Sequence, residues 1–164
     1  MKLLSTATQV NITLPINAEI FNASKNLIMT SLSKLMCGIT LLTVPTIQYG
    51  GYFLLTILTG RNKLPLTDFQ KSMFRAGHAH AGVLVILSLI AQLFIDSTHS
   101  STTVGWMLRI GFPLAAILVS GGFFASASGN NVTTPNRSIV ILYLGALVLA
   151  VSLIVLGVAL IQSR

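Results

Sequence analysis

Four long apolar segments alternate with short polar stretches along the chain. Each segment is near the roughly 20 residues that a helix needs to cross the hydrocarbon core of a bilayer. The predicted spans cover residues 36–59, 75–95, 104–127 and 138–161. Lipid offers no water to unpaired backbone groups, so each segment is predicted to be a helix. Because short connections favour antiparallel neighbours, the pattern predicts an all-α integral membrane four-helix bundle, up-down-up-down, over residues 36–164.

The first 35 residues follow a different pattern. Residues 1–15 are polar and rich in Thr and Asn. A helix can start after them, with Asn17 as its N-cap and Glu19 in its first turn. Apolar residues then recur at roughly helical spacing, at Ile20, Leu27, Ile28, Leu32 and Leu35. Residues 1–35 are therefore predicted to be a polar tail followed by an amphipathic helix, lying on the membrane surface or packed on the bundle.

Composition supports a lipid environment and argues against a nucleic-acid partner. Of the 164 residues, 53% are hydrophobic and only 8% are charged, so lipid must solvate much of the surface. The net charge of +7 comes from cations beside apolar runs, where anionic head groups and topology signals explain them. The first and third loops carry Arg61, Lys63, Lys71 and Arg137. The positive-inside rule therefore favours a cytoplasmic location for these two loops.

Two histidines stand at the entry of the second span, in the stretch GHAHAG. Helical residues advance about 100° each, so His78 and His80 lie about 200° apart and point to nearly opposite faces. They cannot readily share a metal as an i, i+4 pair would. Arg75 lies on the face of His78, and the small residues Gly77 and Ala81 would admit a neighbouring helix or a flat cofactor. The alternative is interfacial histidines bonded to loop carbonyls or head groups.

Three further polar side chains lie within the predicted spans. Gln48 is near the middle of the first span and is predicted to bond another helix or a water, or to line a transport path. Arg109, about one turn into the third span, either snorkels to the head groups or pairs with Asp96 or an anionic ligand. Tyr143, at the start of the fourth span, shares the depth of the histidines. No nucleophile–base pair, phosphate loop or paired carboxylate indicates an enzyme.

Local composition indicates how the helices pack. The stretch SGGFFASASG has small residues on every side, so it predicts a close packing seam or the border of a cavity. Pro45 and Pro113 can each kink their helix and free a backbone carbonyl. Cys37 is the only cysteine, which excludes an intrachain disulfide, and it is predicted to be a small apolar residue at a helix start.

The stretch GHAHAGVLVILSL resembles a segment of small four-helix bacterial membrane proteins that carry His-Ala-His at a helix entry. Those proteins are distantly similar to the haem-copper oxidase catalytic subunit. The resemblance implies a bacterial cytoplasmic membrane protein in which His78 and His80 bind haem or a transition metal. No other predicted span contains a histidine, and His99 lies on the other side of the bilayer. A second axial ligand would be another residue type, an open position or a histidine from a second subunit.

Three functions follow as hypotheses. The favoured one is a non-enzymatic accessory, assembly or interaction subunit that acts through helix packing with a membrane protein partner or a second copy. The second is a haem- or metal-binding protein linked to respiration, with His78 and His80 as ligands and Arg75 near a propionate or other anion. The third is a small oligomeric transporter or channel, in which histidine relays protons.

Overall fold

In the computed structural model, residues 29–164 are described, and they form four long helices joined by short loops. The helices are α1 (Ser31–Leu58), α2 (Asp68–Asp96), α3 (Thr102–Ser126) and α4 (Ile139–Gln162). Each helix is long and apolar enough to cross a membrane, and residues 29–164 contain no strand. The predictions of an all-α class and of four spans are confirmed, and the fold fits an integral membrane protein.

The first helix begins earlier than the hydropathy pattern predicts. The hydroxyl oxygen of Thr30 accepts a hydrogen bond from the Ser33 backbone N–H at 3.2 Å, which is an N-cap. Residues 31–35, predicted to belong to the surface helix, are therefore the first turn of α1. The rest of the predicted amphipathic helix and the polar tail lie outside the described residues.

The second helix begins seven residues before its predicted span, at a capping box formed by Thr67 and Gln70. The Thr67 hydroxyl accepts from the Gln70 backbone N–H, and the Gln70 side chain accepts from the Thr67 backbone N–H, both at 3.1 Å. α2 thus starts at Asp68, inside the stretch that was predicted to be a basic loop. Its last residue, Asp96, lies one residue beyond the predicted end.

The helices pack in chain order, and the ring of a closed four-helix bundle is not formed. α1 packs on α2, α2 on α3 and α3 on α4, whereas α1 touches α3 only slightly and does not contact α4. Apolar helix faces can be solvated by lipid as well as by another helix, so no hydrophobic force closes the gap between α1 and α4. The four helices of the predicted bundle are confirmed, whereas a closed arrangement is not, and the helices form an open row with α1 and α4 at its edges.

The core lies among α2, α3 and α4, and α1 adds little to it. The main buried cluster contains Ala91, Ile95, Leu108, Phe112 and Leu156. Leu84, Ala116 and Val119 form a second cluster along the same helices. The buried hydrophobic side chains include only one from α1, Leu54. Most of α1 is consequently exposed on the surface of the protein.

Glycine lets α3 and α4 approach each other closely. A Cβ atom on Gly122 would lie 2.4 Å from the backbone nitrogen of Leu142, and one on Gly145 would lie 2.6 Å from that of Val119. Gly121, by contrast, faces open space. The stretch SGGFFASASG is therefore a packing seam, as one of its two predicted interpretations has it, and Gly122 is the glycine that makes it.

Candidate functional site

The densest group of polar side chains lies where α1 begins, α2 ends and α3 makes its first turns. This polar cluster consists of Thr30, Ser33, Gln92, Asp96 and Arg109. Ser33 and Gln92 are fully buried, and Arg109 is only 7% exposed. A buried guanidinium is costly unless it is paired and hydrogen-bonded. The role of the cluster therefore depends on which groups pair with Arg109 and hydrogen-bond to it.

Arg109 is paired with groups from both neighbouring helices. Its guanidinium donates to a carboxylate oxygen of Asp96 at 2.6 Å and to the side-chain oxygen of Gln92 at 3.3 Å. It also donates to the hydroxyl of Ser33 on α1. The expectation that Arg109 snorkels to the head groups is wrong for this structure, and its predicted alternative, pairing with Asp96, is what the structure shows.

Asp96 links this ion pair to the start of α1. Its two carboxylate oxygens accept from the backbone N–H and from the hydroxyl of Thr30, each at 2.9 Å. The carboxylate thus neutralises Arg109 and satisfies a donor just before the first turn of α1. The polar cluster holds three helices together, so its role in this geometry is structural.

A proline explains the position of Gln92. Pro113 has no backbone N–H, so it cannot donate to the carbonyl of Arg109 four residues earlier. The Gln92 side-chain nitrogen donates to that carbonyl at 3.2 Å. Pro113 predicts the freed carbonyl, but nothing at Pro113 itself indicates that Gln92 is its partner. The sequence does contain a signal for Gln92, because Ser88, Gln92 and Asp96 recur at intervals of four and form a polar stripe on α2.

The two histidines occupy the opposite end of α2 and face different helices. The His78 ring lies against Gly51 of α1, where a Cβ would be 3.0 Å from its Cε1 and Nε2 atoms. The His80 ring packs on Phe123 of α3 with ring centroids 4.9 Å apart. Its Nδ1 atom is 2.8 Å from the carbonyl oxygen of Ala76. This divergence agrees with the offset of about 200° expected from their spacing.

A metal or haem shared by His78 and His80 within one chain does not fit this arrangement. Between residues 29 and 164, no three His, Cys, Asp or Glu side chains come close enough to hold a metal ion. The surface at Gly77 that could accept a flat group is covered by Phe123 and Phe124 of α3, because a Cβ on Gly77 would lie 3.0 Å from an atom of each. Arg75 is exposed and lines a small crevice at the end of α1. Binding of a cofactor by one of these residues together with a second chain stays a prediction.

Gln48 and Tyr143 are both exposed, Tyr143 to 63%. Within residues 29–164, neither forms a hydrogen bond with His78 or His80. Gln48 takes part in none of the side-chain hydrogen bonds found between residues 29 and 164.

Gln70, which the hydropathy pattern does not indicate as a functional residue, connects the start of α2 to the third loop. Its side-chain nitrogen donates to the carbonyls of Ala127 at 3.0 Å and Gly129 at 2.9 Å.

Comparison with known protein families, curated proteins and solved structures found no match to this chain. The resemblance carried by residues 77–89 therefore stays a prediction.

Proposed function

We propose that the chain is a small integral membrane protein that acts without enzymatic chemistry, as an accessory, assembly or interaction subunit. It binds another membrane protein through the outer face of α1. This helix is the least enclosed of the four, because it lies at one edge of the row and packs mainly on α2. Only Ser33, Thr40 and Leu54 are buried in it.

Gln48 is the observation that carries this proposal. It lies ten residues before the end of α1 at Leu58, which at 1.5 Å per residue is about 15 Å along the helix. At that depth the exposed amide would face hydrocarbon, which neither donates nor accepts hydrogen bonds. A polar group of a second transmembrane helix would satisfy it, and such contacts stabilise helix pairs by about 0.6–2 kcal/mol.

The side chains around Gln48 extend the same surface. Tyr49 and Tyr52 are 72% and 58% exposed and, with Pro45, recur at helical spacing on this side of α1. We name Pro45, Gln48, Tyr49 and Tyr52 the α1 face. Aromatic side chains that bear a polar group are enriched at protein interfaces. The α1 face therefore suits a protein partner better than it suits lipid tails.

Copurification with matched variants tests the proposal. The tagged chain is expressed in its own host, solubilised in mild detergent, and its copurifying membrane proteins are quantified by mass spectrometry. Gln48→Leu is expected to reduce the partner roughly 3- to 20-fold, the equivalent of one interhelical hydrogen bond. Gln48→Asn is expected to restore part of it, and Gln162→Leu, at the exposed end of α4, to leave it unchanged. An identical partner yield with Gln48→Leu would contradict the proposed function.

A further inference from the structure

A cavity of about 510 Å³ lies at the end of α1, where the first loop folds back against the helix. We name it the α1-end cavity. Its lining residues are Tyr49, Tyr52, Phe53, Thr56, Arg61, Asn62 and Lys63. The set combines two cations with two phenol hydroxyls and contains no acidic side chain. Its volume falls within the roughly 300–1,000 Å³ typical of ligand pockets.

The backbone of the first loop brings the two cations to the helix. Gly60 has a φ of 70°, in the left-handed region that favours glycine, and it turns the chain just after α1 ends. The Asn62 backbone N–H then donates to the carbonyl of Thr56 at 2.9 Å. Arg61 and Lys63 flank this hydrogen bond. They are therefore held beside the last turn of α1 instead of extending away from it.

The cations and hydroxyls of the α1-end cavity are accessible and have no partner in the described part of the chain. Residues 29–164 contain only two acidic residues, and each already pairs with a different cation, at 3.2 Å and 2.6 Å. Arg61, Lys63, Tyr49 and Tyr52 are all exposed, and within that range their side chains form no hydrogen bond. An anion that carries further acceptor oxygens matches this set of donors.

The depth of the α1-end cavity indicates that the anion belongs to a lipid. At 28 residues α1 is about 42 Å long, so a helix centred on the roughly 30 Å hydrocarbon core extends about 6 Å beyond it at each end. Arg61 and Lys63 follow the end of α1 and lie in the head-group layer, with the phospholipid phosphates. Tyr52 lies about 9 Å before that end, near the border of the hydrocarbon, where tyrosine is enriched. A soluble anion would use the cations alone, whereas a phospholipid also offers ester oxygens to the phenol.

From this chemistry we propose that the α1-end cavity binds a phospholipid with a net negative charge. The phosphate accepts hydrogen bonds from Arg61 and Lys63, and an ester oxygen accepts one from Tyr52. A zwitterionic phospholipid carries its own cation and gains less from this site. Because Gln48 does not line the cavity, the lipid lies beside a protein bound at that residue and not in its place. The proposal does not depend on such a partner.

Native mass spectrometry of the full chain in detergent tests the preference for charge. The chain is titrated with phosphatidylglycerol and with phosphatidylcholine of the same acyl chains, and the fraction with one bound lipid is measured. The wild type is expected to bind phosphatidylglycerol roughly 5- to 30-fold more tightly, the contribution of one or two surface cations. Arg61→Gln/Lys63→Gln is expected to lose most of this preference. Arg75→Gln/Arg137→Gln removes two exposed cations outside the cavity, with the same change in net charge, and is expected to keep it.

Two further measurements separate a bound lipid from a soluble anion. Tyr52→Phe removes one hydroxyl and is expected to weaken both lipids roughly 2- to 10-fold, the equivalent of one hydrogen bond, because both carry ester groups. Inorganic phosphate in excess is expected not to displace phosphatidylglycerol. Thermal unfolding verifies that each variant is folded.

Four results would overturn the proposal of a lipid at the α1-end cavity. They are equal affinity of the wild type for the two lipids, a preference that persists in Arg61→Gln/Lys63→Gln, an equal loss in Arg75→Gln/Arg137→Gln, and unchanged affinity in Tyr52→Phe. Displacement by inorganic phosphate would also contradict it, because the cations would then bind a soluble anion.

Discussion

The guanidinium of Arg109 and the carboxylate of Asp96 form an ion pair with a nitrogen–oxygen distance of 2.6 Å, and their side chains are only 9% and 13% exposed. The pair joins α3 to the end of α2, and through Thr30 the same carboxylate reaches the start of α1. In an open row of helices, this contact holds the edge helix in place. The α1 face depends on it indirectly, because a displaced α1 would present a different surface.

Breaking this ion pair should destabilise the protein. Asp96→Ala leaves the buried cation of Arg109 without its counter-ion, and such a loss costs about 3–5 kcal/mol. Replacing both residues, as in Asp96→Leu with Arg109→Met, should recover part of the loss because no charge stays buried. Thermal unfolding in detergent measures the stability of the single and the double variant. Asp68→Asn, in the exposed pair with Lys71, is the control and should change stability far less. Equal effects of Asp96→Ala and Asp68→Asn would contradict this account.

The contact between Gln92 and Arg109 should depend on Pro113. Gln92→Leu leaves the Arg109 carbonyl unpaired, at a cost of about 1–3 kcal/mol. Pro113→Ala restores a backbone donor to that carbonyl, so Gln92→Leu should cost less in the Pro113→Ala background. A double-mutant cycle of unfolding free energies measures the difference. Strictly additive effects would show that Gln92 does not replace the missing donor.

Adjacent glycines should respond differently to the same substitution. Gly122→Ala places a Cβ within 2.4 Å of the α4 backbone, so the helices must separate, and we expect a loss of about 1–3 kcal/mol. Gly121→Ala meets no atom within 4 Å. Since alanine favours helices over glycine, that variant should be as stable as the wild type or more stable. The comparison uses unfolding midpoints, and a reversed order would refute the described α3–α4 contact.

The divergent histidines lead to a spectroscopic prediction. His78 and His80 face different helices, so the proposed function needs no group bound between them. Protein purified from cells supplied with haem and metals should show the same absorption from about 350 to 700 nm and the same metal content as the His78→Ala/His80→Ala variant. A Soret band or stoichiometric metal that is lost in the variant would favour the haem- or metal-binding hypothesis instead.

Hydropathy predicted the four helices because lipid imposes the same requirement on every span. It placed the start of α2 too late, since the Thr67–Gln70 capping box lies in a stretch whose charges resemble a loop. Hydropathy did not decide between the two hypotheses for Arg109, because the side chain is near enough to the membrane edge to reach either the head groups or Asp96. The separation of α1 from α4 has no sequence signal, since both helices have apolar outer faces that lipid or protein can cover.

Photocrosslinking at position 49 tests the central claim most directly. A photoreactive phenylalanine analogue is placed at Tyr49 of the α1 face, which is 72% exposed, so that Gln48 is kept, and another at Ile154, which is 65% exposed on α4. Membranes are irradiated before solubilisation, and the adducts are identified by mass and sequence. We predict a discrete protein adduct from position 49 and only lipid adducts from position 154. Lipid adducts alone at position 49 would contradict the claim that this face of α1 binds another membrane protein.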